Sequence, residues 1–249
     1  MVLYTLSQRA NIQVRNFTIK DKSLTVVIYD DHRTLLNVLY FLRMKKLLYE
    51  SVNLIFFDYH DDALQTNRKA LSKLHRISIS EKCFRDFWNV IEFDLSHEDD
   101  DWLWAGMDCG LIKHAFRVAG KEDTNIKKLN EAFKEKHIMV PWEWDDIKGF
   151  VDEYSKLPED KRIQFVLDFD LDCFSTDESL LGRQQAWSDR DFENHFEKDP
   201  TTVIALKELI RHAEIITICR EPGCCGGIGE SNKILHCLDQ YLFEGKLQA

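Results

Sequence analysis

The chain is poor in the residues that mark unusual architectures. It holds only 4 Pro and 10 Gly in 249 residues, which excludes collagen-like repeats and Pro/Gly-rich low complexity. No uninterrupted apolar run exceeds eight residues, far short of the roughly 18 to 20 residues that a membrane-spanning helix needs, so no membrane partner is expected. The stretch from Met1 to Ala10 has no charged segment followed by an apolar one, so the expectation is a cytoplasmic protein. The 7 cysteines are odd in number and none falls in a CxxC or paired zinc spacing, which points to reduced, mostly buried thiols rather than a disulfide framework. Basic residues are in deficit too. With 33 Lys+Arg against 43 Asp+Glu the net charge is −10, a surface that repels phosphate backbones and excludes nucleic acid as the main partner. A cationic ligand suits it better.

No internal repeat or Gly/Ser linker interrupts the chain and the first proline is Pro141, so one domain over residues 1–249 is expected. Short β-rich apolar stretches alternate with stretches of helical period. Strands are expected at Thr25–Tyr29, Asn53–Asp58, Asn89–Asp94, Gln164–Asp170 and Ile215–Cys219. Helices are expected at Thr34–Glu50, Ala63–Ser78, Thr201–Ala213 and Ser231–Leu242. This alternation predicts an α/β fold of three layers, αβα, around a mostly parallel sheet. Leu35–Leu48 reads as core, Ser96–Asp101 and Ser175–Pro200 as long loops, and Gly223–Gly229 as a turn before the last helix.

Four of the five strand candidates end in polar residues, where an open parallel sheet places its ligand crevice. They end in Tyr29-Asp30-Asp31-His32, Asp58-Tyr59-His60-Asp61-Asp62, Asp168-Phe169-Asp170-Leu171-Asp172 and Cys219-Arg220-Glu221-Pro222. Side chains alternate along a strand, so Asp58, His60 and Asp62 would project to one side, as would Asp168, Asp170 and Asp172. Buried carboxylates at such density demand positive charge, because each uncompensated one costs several kcal/mol. Two divalent cations bridged by carboxylates answer that demand, and imidazole with carboxylate suits Mn(II) better than structural zinc.

Asp58-x-His60-x-Asp62 resembles the Asp-x-His-x-Asp motif of the arginase and agmatinase (ureohydrolase) superfamily. Phe169-Asp170-Leu171-Asp172 resembles its Phe-Asp-x-Asp motif, His32 is similar to its first metal histidine, and Glu221 to its guanidinium-binding glutamate. The form Leu167-Asp-Phe-Asp-Leu-Asp-Cys-Phe174 is similar to a compact branch that includes peptide arginases, which convert arginine in ribosomally made (RiPP) precursor peptides to ornithine. The resemblance spans roughly residues 25 to 225 in short motifs. It implies an arginase/deacetylase-like fold, two Mn(II) ions and an arginine-containing precursor peptide as partner. Carried over by position, His32, Asp58, Asp62 and Asp170 would bind one ion, and His60, Asp58, Asp170 and Asp172 the other. Asp168 stands where arginases have serine; a register one step earlier would make Asp168 and Asp170 the ligands in place of Asp172. Asp62 would also move the proton from nucleophile to leaving amine.

The sequence departs from the family at Tyr29 and Asp30, which replace glycines, at Arg33, which replaces serine, and at Cys173-Phe174-Ser175, which replaces Gly-Leu-Asp-Pro. The His-Gly-Met-Pro segment that supplies a proton-shuttle histidine has no counterpart, which leaves His114 or His97 as candidates. The acidic run Glu98–Asp101 with Trp102 and Trp104 is either a solvated loop or the border of an open cleft for a basic peptide. Rival readings are a small-molecule ureohydrolase, a deacetylase of the same fold, and a metal-stabilised peptide-binding protein without turnover. Oligomeric state leaves no mark in the sequence.

Overall fold

The computed structural model describes residues 12–48, 50–60, 62–96, 98, 100–118, 124–133, 144–156, 158, 163–178 and 183–248. Six strands form the main sheet: β1 (Gln13–Ile19), β2 (Lys22–Tyr29), β3 (Val52–Phe57), β4 (Ile112–Val118), β5 (Phe165–Asp170) and, after the short β6 (Ser175–Glu178) and β7 (Arg183–Ala186), β8 (Ile215–Cys219). Their spatial order is β1-β2-β8-β5-β3-β4. All neighbours pair in parallel except β1, which lies antiparallel to β2 at one edge. β5 is buried along its whole length, the pattern a central parallel strand requires when helices cover both faces.

Side chains alternate between two cores. Val27, Tyr29, Leu54, Phe56 and Val166 face one, with helices α1 (Thr34–Met44), α2 (Arg68–Leu74), α3 (Phe84–Asp94) and α4 (Trp102–Asp108) contributing to it. Ile28, Ile55, Phe57, Leu167 and Phe169 face the other. That side also takes residues of α6 (Trp144–Lys156), which follows α5 (Thr124–Phe133), and of α7 (Asp189–Phe192), α8 (Pro200–His212) and α9 (Ile228–Leu242). The result is the expected three-layer αβα arrangement.

Several expected elements differ. Asn89–Asp94 is not a strand but the second half of α3, where Phe84, Phe87, Val90 and Ile91 are buried at helical spacing while Phe93 is exposed. Val90-Ile91 supplied the β signal; tertiary burial on one helical stripe overrode it. The helix from Thr34 stops at Met44, and Lys46 turns the chain with φ of 59°. That helix is buried from Thr34 through Leu42, so its role as core stands. The helix expected over Ala63–Ser78 is confined to Arg68–Leu74, capped by Asn67, whose side chain accepts from the Ala70 N–H. Ser175–Pro200 is not one loop: β6 pairs with β7, and Ser188 then starts α7 with a capping box.

The parallel direction decides where function can sit. β2, β8, β5 and β3 are adjacent and run the same way, so the segments that follow them all emerge at one end of the sheet. The register keeps those ends level: Tyr29 lies beside Cys219, Cys219 beside Asp170, and Phe57 beside Phe169.

Candidate metal centre

The four polar strand ends meet in one buried cluster. β3 stops at Phe57 and β5 at Asp170, so strand alternation does not bring their motifs together as the spacing alone suggests. Turns do. Asp58 accepts the backbone N–H of His60 at 2.7 Å, and Asp62 stands in the left-handed region with φ of 47°. Asp170 accepts the backbone N–H of Asp172 at 3.1 Å, which starts a 3-10 turn over Leu171–Phe174 and folds Asp172 back toward β3. There Asp172 accepts the Tyr59 N–H at 3.0 Å. Glu221, after β8, also has a positive φ, 32°. Non-glycine residues held in this region cost about 1–3 kcal/mol each and persist where the surroundings impose them.

His32 lies at the centre and is fully buried. Its Nδ1 lies 2.9 Å from Asp170 Oδ2, 3.0 Å from Asp62 Oδ2 and 3.4 Å from Asp58 Oδ2. Its Nε2 donates to Asp168 Oδ2 at 2.8 Å. The half-exposed His60 places Nδ1 2.7 Å from Asp172 Oδ2. Four triads have ligand atoms within 4.8 Å of one another: His32/Asp58/Asp62, His32/Asp170/Glu221, Asp58/Asp170/Asp172 and His60/Asp172/Cys224. Asp58 and Asp170 each join His32 in one triad and Asp172 in another, the arrangement of carboxylates shared between two cation positions. Apart from these contacts among ionisable side chains, the buried His32 Nδ1, Asp58 Oδ2 and Asp172 Oδ2 have no hydrogen-bond partner. Buried polar atoms are normally satisfied, so these three identify a donor set that fits divalent cations.

Protonation follows the same imbalance. Burial, then Asp62 and Asp172, push Asp58 well above the usual carboxylate range. Burial and Asp172 raise Asp170 to about 7, and burial with Asp170 and Asp62 raises Glu221 well up. Burial alone would lower His32, but Asp168 and Asp170 outweigh it and hold the imidazole well above its ordinary value. The hydrogen bond to Asp172 raises His60 to about 9. Carboxylates that hold protons and imidazoles that refuse to lose them are the response of such a cluster to crowded negative charge.

Asp168 takes a position unlike the other carboxylates. Its Oδ1 accepts from Tyr29 at 2.9 Å and from Thr217, its Oδ2 from His32, and it belongs to none of the four triads. It holds His32 Nε2 rather than joining a triad, whereas Asp170 and Asp172 share one. His114 is not brought to the site. It sits beside Asn53 near the start of β4, about 13 Å before that strand's end at the parallel-strand rise of ~3.3 Å per residue. The structure thus places His114 away from the cluster. His97, Asp61 and Asp99 lie outside the described residues.

Trp102 and Trp104 are buried, so they do not border an open cleft. Trp102 instead donates Nε1–H to Asp62 Oδ2 and lies with its ring 4.4 Å from His32. Asp101 is buried too, and burial pushes its carboxyl up to about 6. Thr217 and Cys224 are not legible as site residues, because neither stands in a charged motif; Tyr29 and Trp102 stand in or beside one, but nothing there marks Asp168 and Asp62 as their partners.

No family model matches the chain, and no curated protein does. Among solved structures it is similar to the arginase of Helicobacter pylori, at 13% identity over 89% of this chain and 72% of that one, with a TM-score of 0.47. No helix among the described residues is long and apolar enough to cross a membrane.

Proposed function

We propose that this chain is a metal-dependent hydrolase of the ureohydrolase kind, holding two divalent cations, Mn(II) by ligand hardness, and acting on the guanidinium of arginine within a peptide. The observation that carries the reading is one buried cluster in which Asp58 and Asp170 are each shared between a His32 triad and an Asp172 triad, with Glu221 beside them. His32, Asp58, Asp62 and Asp170 would hold one cation, and His60, Asp58, Asp170 and Asp172 the other. Two cations held so supply a water nucleophile activated at neutral pH.

The chain's own residues do the rest. Glu221 accepts hydrogen bonds from the planar guanidinium and fixes its carbon near attack distance. Asp62 Oδ2, itself held by Trp102, takes the proton released in the attack and returns it to the departing amine. Water adds to the guanidinium carbon, the carbon–nitrogen bond to the side chain breaks, urea leaves, and an ornithine residue remains in the peptide. The resemblance of the Leu167–Phe174 segment to peptide arginases favours a peptide over free arginine.

The test is mass spectrometry of an arginine-containing peptide and of free arginine, each incubated with the Mn(II)-loaded protein. Loss of one CH2N2 unit per arginine in the peptide, with urea released, is expected. Turnover of free arginine or agmatine instead makes it a small-molecule ureohydrolase, and no turnover with metal bound refutes guanidinium hydrolysis and leaves the deacetylase and binding readings.

A further inference from the structure

The second cation position contains a residue that no arginase-like motif supplies. Cys224 Sγ lies within 4.8 Å of ligand atoms of His60 and Asp172. The thiol is placed by a tight turn: the N–H groups of Cys224 and Cys225 both bond the Glu221 carbonyl, at 3.0 and 3.1 Å, and the Gly227 N–H bonds the Pro222 carbonyl at 2.8 Å. Gly226 and Gly227 close it with φ of 86° and 120°, conformations glycine adopts without strain. The neighbouring thiol is committed elsewhere, since Cys225 is buried and donates to the Arg220 carbonyl at 3.2 Å. An independent feature points to a ligand here. Asp172 Oδ2 is fully buried, has no hydrogen-bond partner apart from its 2.7 Å contact with His60 Nδ1, and belongs to this triad.

We propose that Cys224 ligates the second cation through its thiolate, together with His60 and Asp172. The assignment rests on the two-cation reading above. It makes the two positions chemically unlike. The position around His32 offers imidazole and carboxylate only, whereas the position around His60 offers nitrogen, oxygen and sulfur, a set that accepts a borderline-soft ion such as Zn(II) or Co(II) as well as Mn(II). On binding, the cation replaces the thiol proton, which leaves to solvent.

Cobalt reads the assignment without reference to turnover. Metal-stripped protein is titrated with Co(II), bound cobalt is counted by elemental analysis, and the near-ultraviolet spectrum is followed for a thiolate-to-cobalt charge-transfer band. The expected result is such a band in the wild-type protein and in Cys225→Ser, and its loss in Cys224→Ser. In the unmutated protein, Co(II) is expected to slow alkylation of Cys224 by iodoacetamide at least tenfold, read by peptide mass spectrometry, so a variant that fails to fold leaves this measurement intact. Two bound cobalts with no charge-transfer band, a band that survives Cys224→Ser, or alkylation of Cys224 unaffected by cobalt would overturn the thiolate ligand alone. Absence of bound cobalt would overturn the two-cation reading and the thiolate with it.

Discussion

Asp168→Asn separates the residue that orients the central histidine from the residues that surround it. Asp168 accepts from three donors: Tyr29 and Thr217 at Oδ1, and His32 Nε2 at Oδ2. Asparagine keeps one oxygen for Tyr29 and Thr217 and must turn its NH2 toward His32. An amide NH2 only donates, so Nε2 has to become an acceptor and the ring proton moves to Nδ1. Nδ1 is the atom that faces Asp170, Asp62 and Asp58 at 2.9, 3.0 and 3.4 Å, and a proton there occupies the direction a cation needs. Loss of an outer partner of a ligating histidine typically weakens metal affinity about 10–100-fold, or about 1.4–2.7 kcal/mol. The metal-free fold should lose less than it does in Asp168→Ala, because the amide oxygen still serves Tyr29 and Thr217, although the imidazolium loses one of the two carboxylates that hold its proton. Asp168→Ala should behave differently. It strands three buried donors at about 1–3 kcal/mol each and destabilises the protein outright. Isothermal titration of Mn(II) into stripped protein, with thermal melts in chelator, measures both quantities. Unchanged affinity in Asp168→Asn would refute the orienting role. A loss far beyond 100-fold with one cation missing would mean that Asp168 itself is a ligand.

Other perturbations probe the same cluster from different sides. Asp170→Asn should bring bound metal below two per chain and end turnover, yet raise the metal-free melting temperature, because it removes a buried carboxylate crowded by Asp172; elemental analysis and a melt in chelator check both signs. Glu221→Gln should keep the metal content and lose turnover, and loss of metal would show Glu221 to be a ligand. His114→Ala should leave metal content and turnover within about twofold of wild type by the same assays, given its place low on β4. The metal-free protein should lose stability as pH rises. Asp170 binds its proton more tightly folded, about 7, than at its ordinary 3.8, so its contribution is fully present below about 4 and fades as pH climbs to 7. His60, raised from 6.5 to about 9, adds a smaller loss over that higher window because it is half exposed. Cations compete with these protons, so the melting-temperature gain on adding metal should be larger near pH 8.5 than near pH 6, and an equal gain at both contradicts the cluster's charge balance.

The fold was legible where period and burial agreed. β2, β3, β5 and β8 carry continuous apolar runs because helices cover both faces, and each was placed within a few residues. The outer strands were not found. β1 alternates exposed and part-buried residues at an edge, and β4 interrupts its apolar run with Lys113, His114 and Arg117. Neither shows the two-sided burial that makes a central strand recognisable. Asn89–Asp94 failed for the opposite reason, since a short apolar pair reads alike in a strand and on a helix stripe, and only the spacing from Phe84 and Phe87 separates them.

The site was legible in its residues and illegible in its assembly. Strand alternation predicts that Asp168, Asp170 and Asp172 share one side, and so cannot say which two belong together. The structure separates them because β5 ends at Asp170. Asp168, still inside the sheet, is level with Thr217 on β8 and within reach of Tyr29, so its two oxygens are taken by the scaffold and His32. Asp172, beyond the strand, is carried by the 3-10 turn to Tyr59 and His60. The same logic accounts for Cys224, which no spacing to a partner cysteine could reveal. Its neighbours His60 and Asp172 arrive from β3 and β5, far away in sequence, and only the order β8-β5-β3 brings all three strand ends together. What a sequence shows is the ligand chemistry at each strand end; what it hides is where each strand stops, and that stopping point decides which carboxylate orients and which is left to be satisfied by a cation.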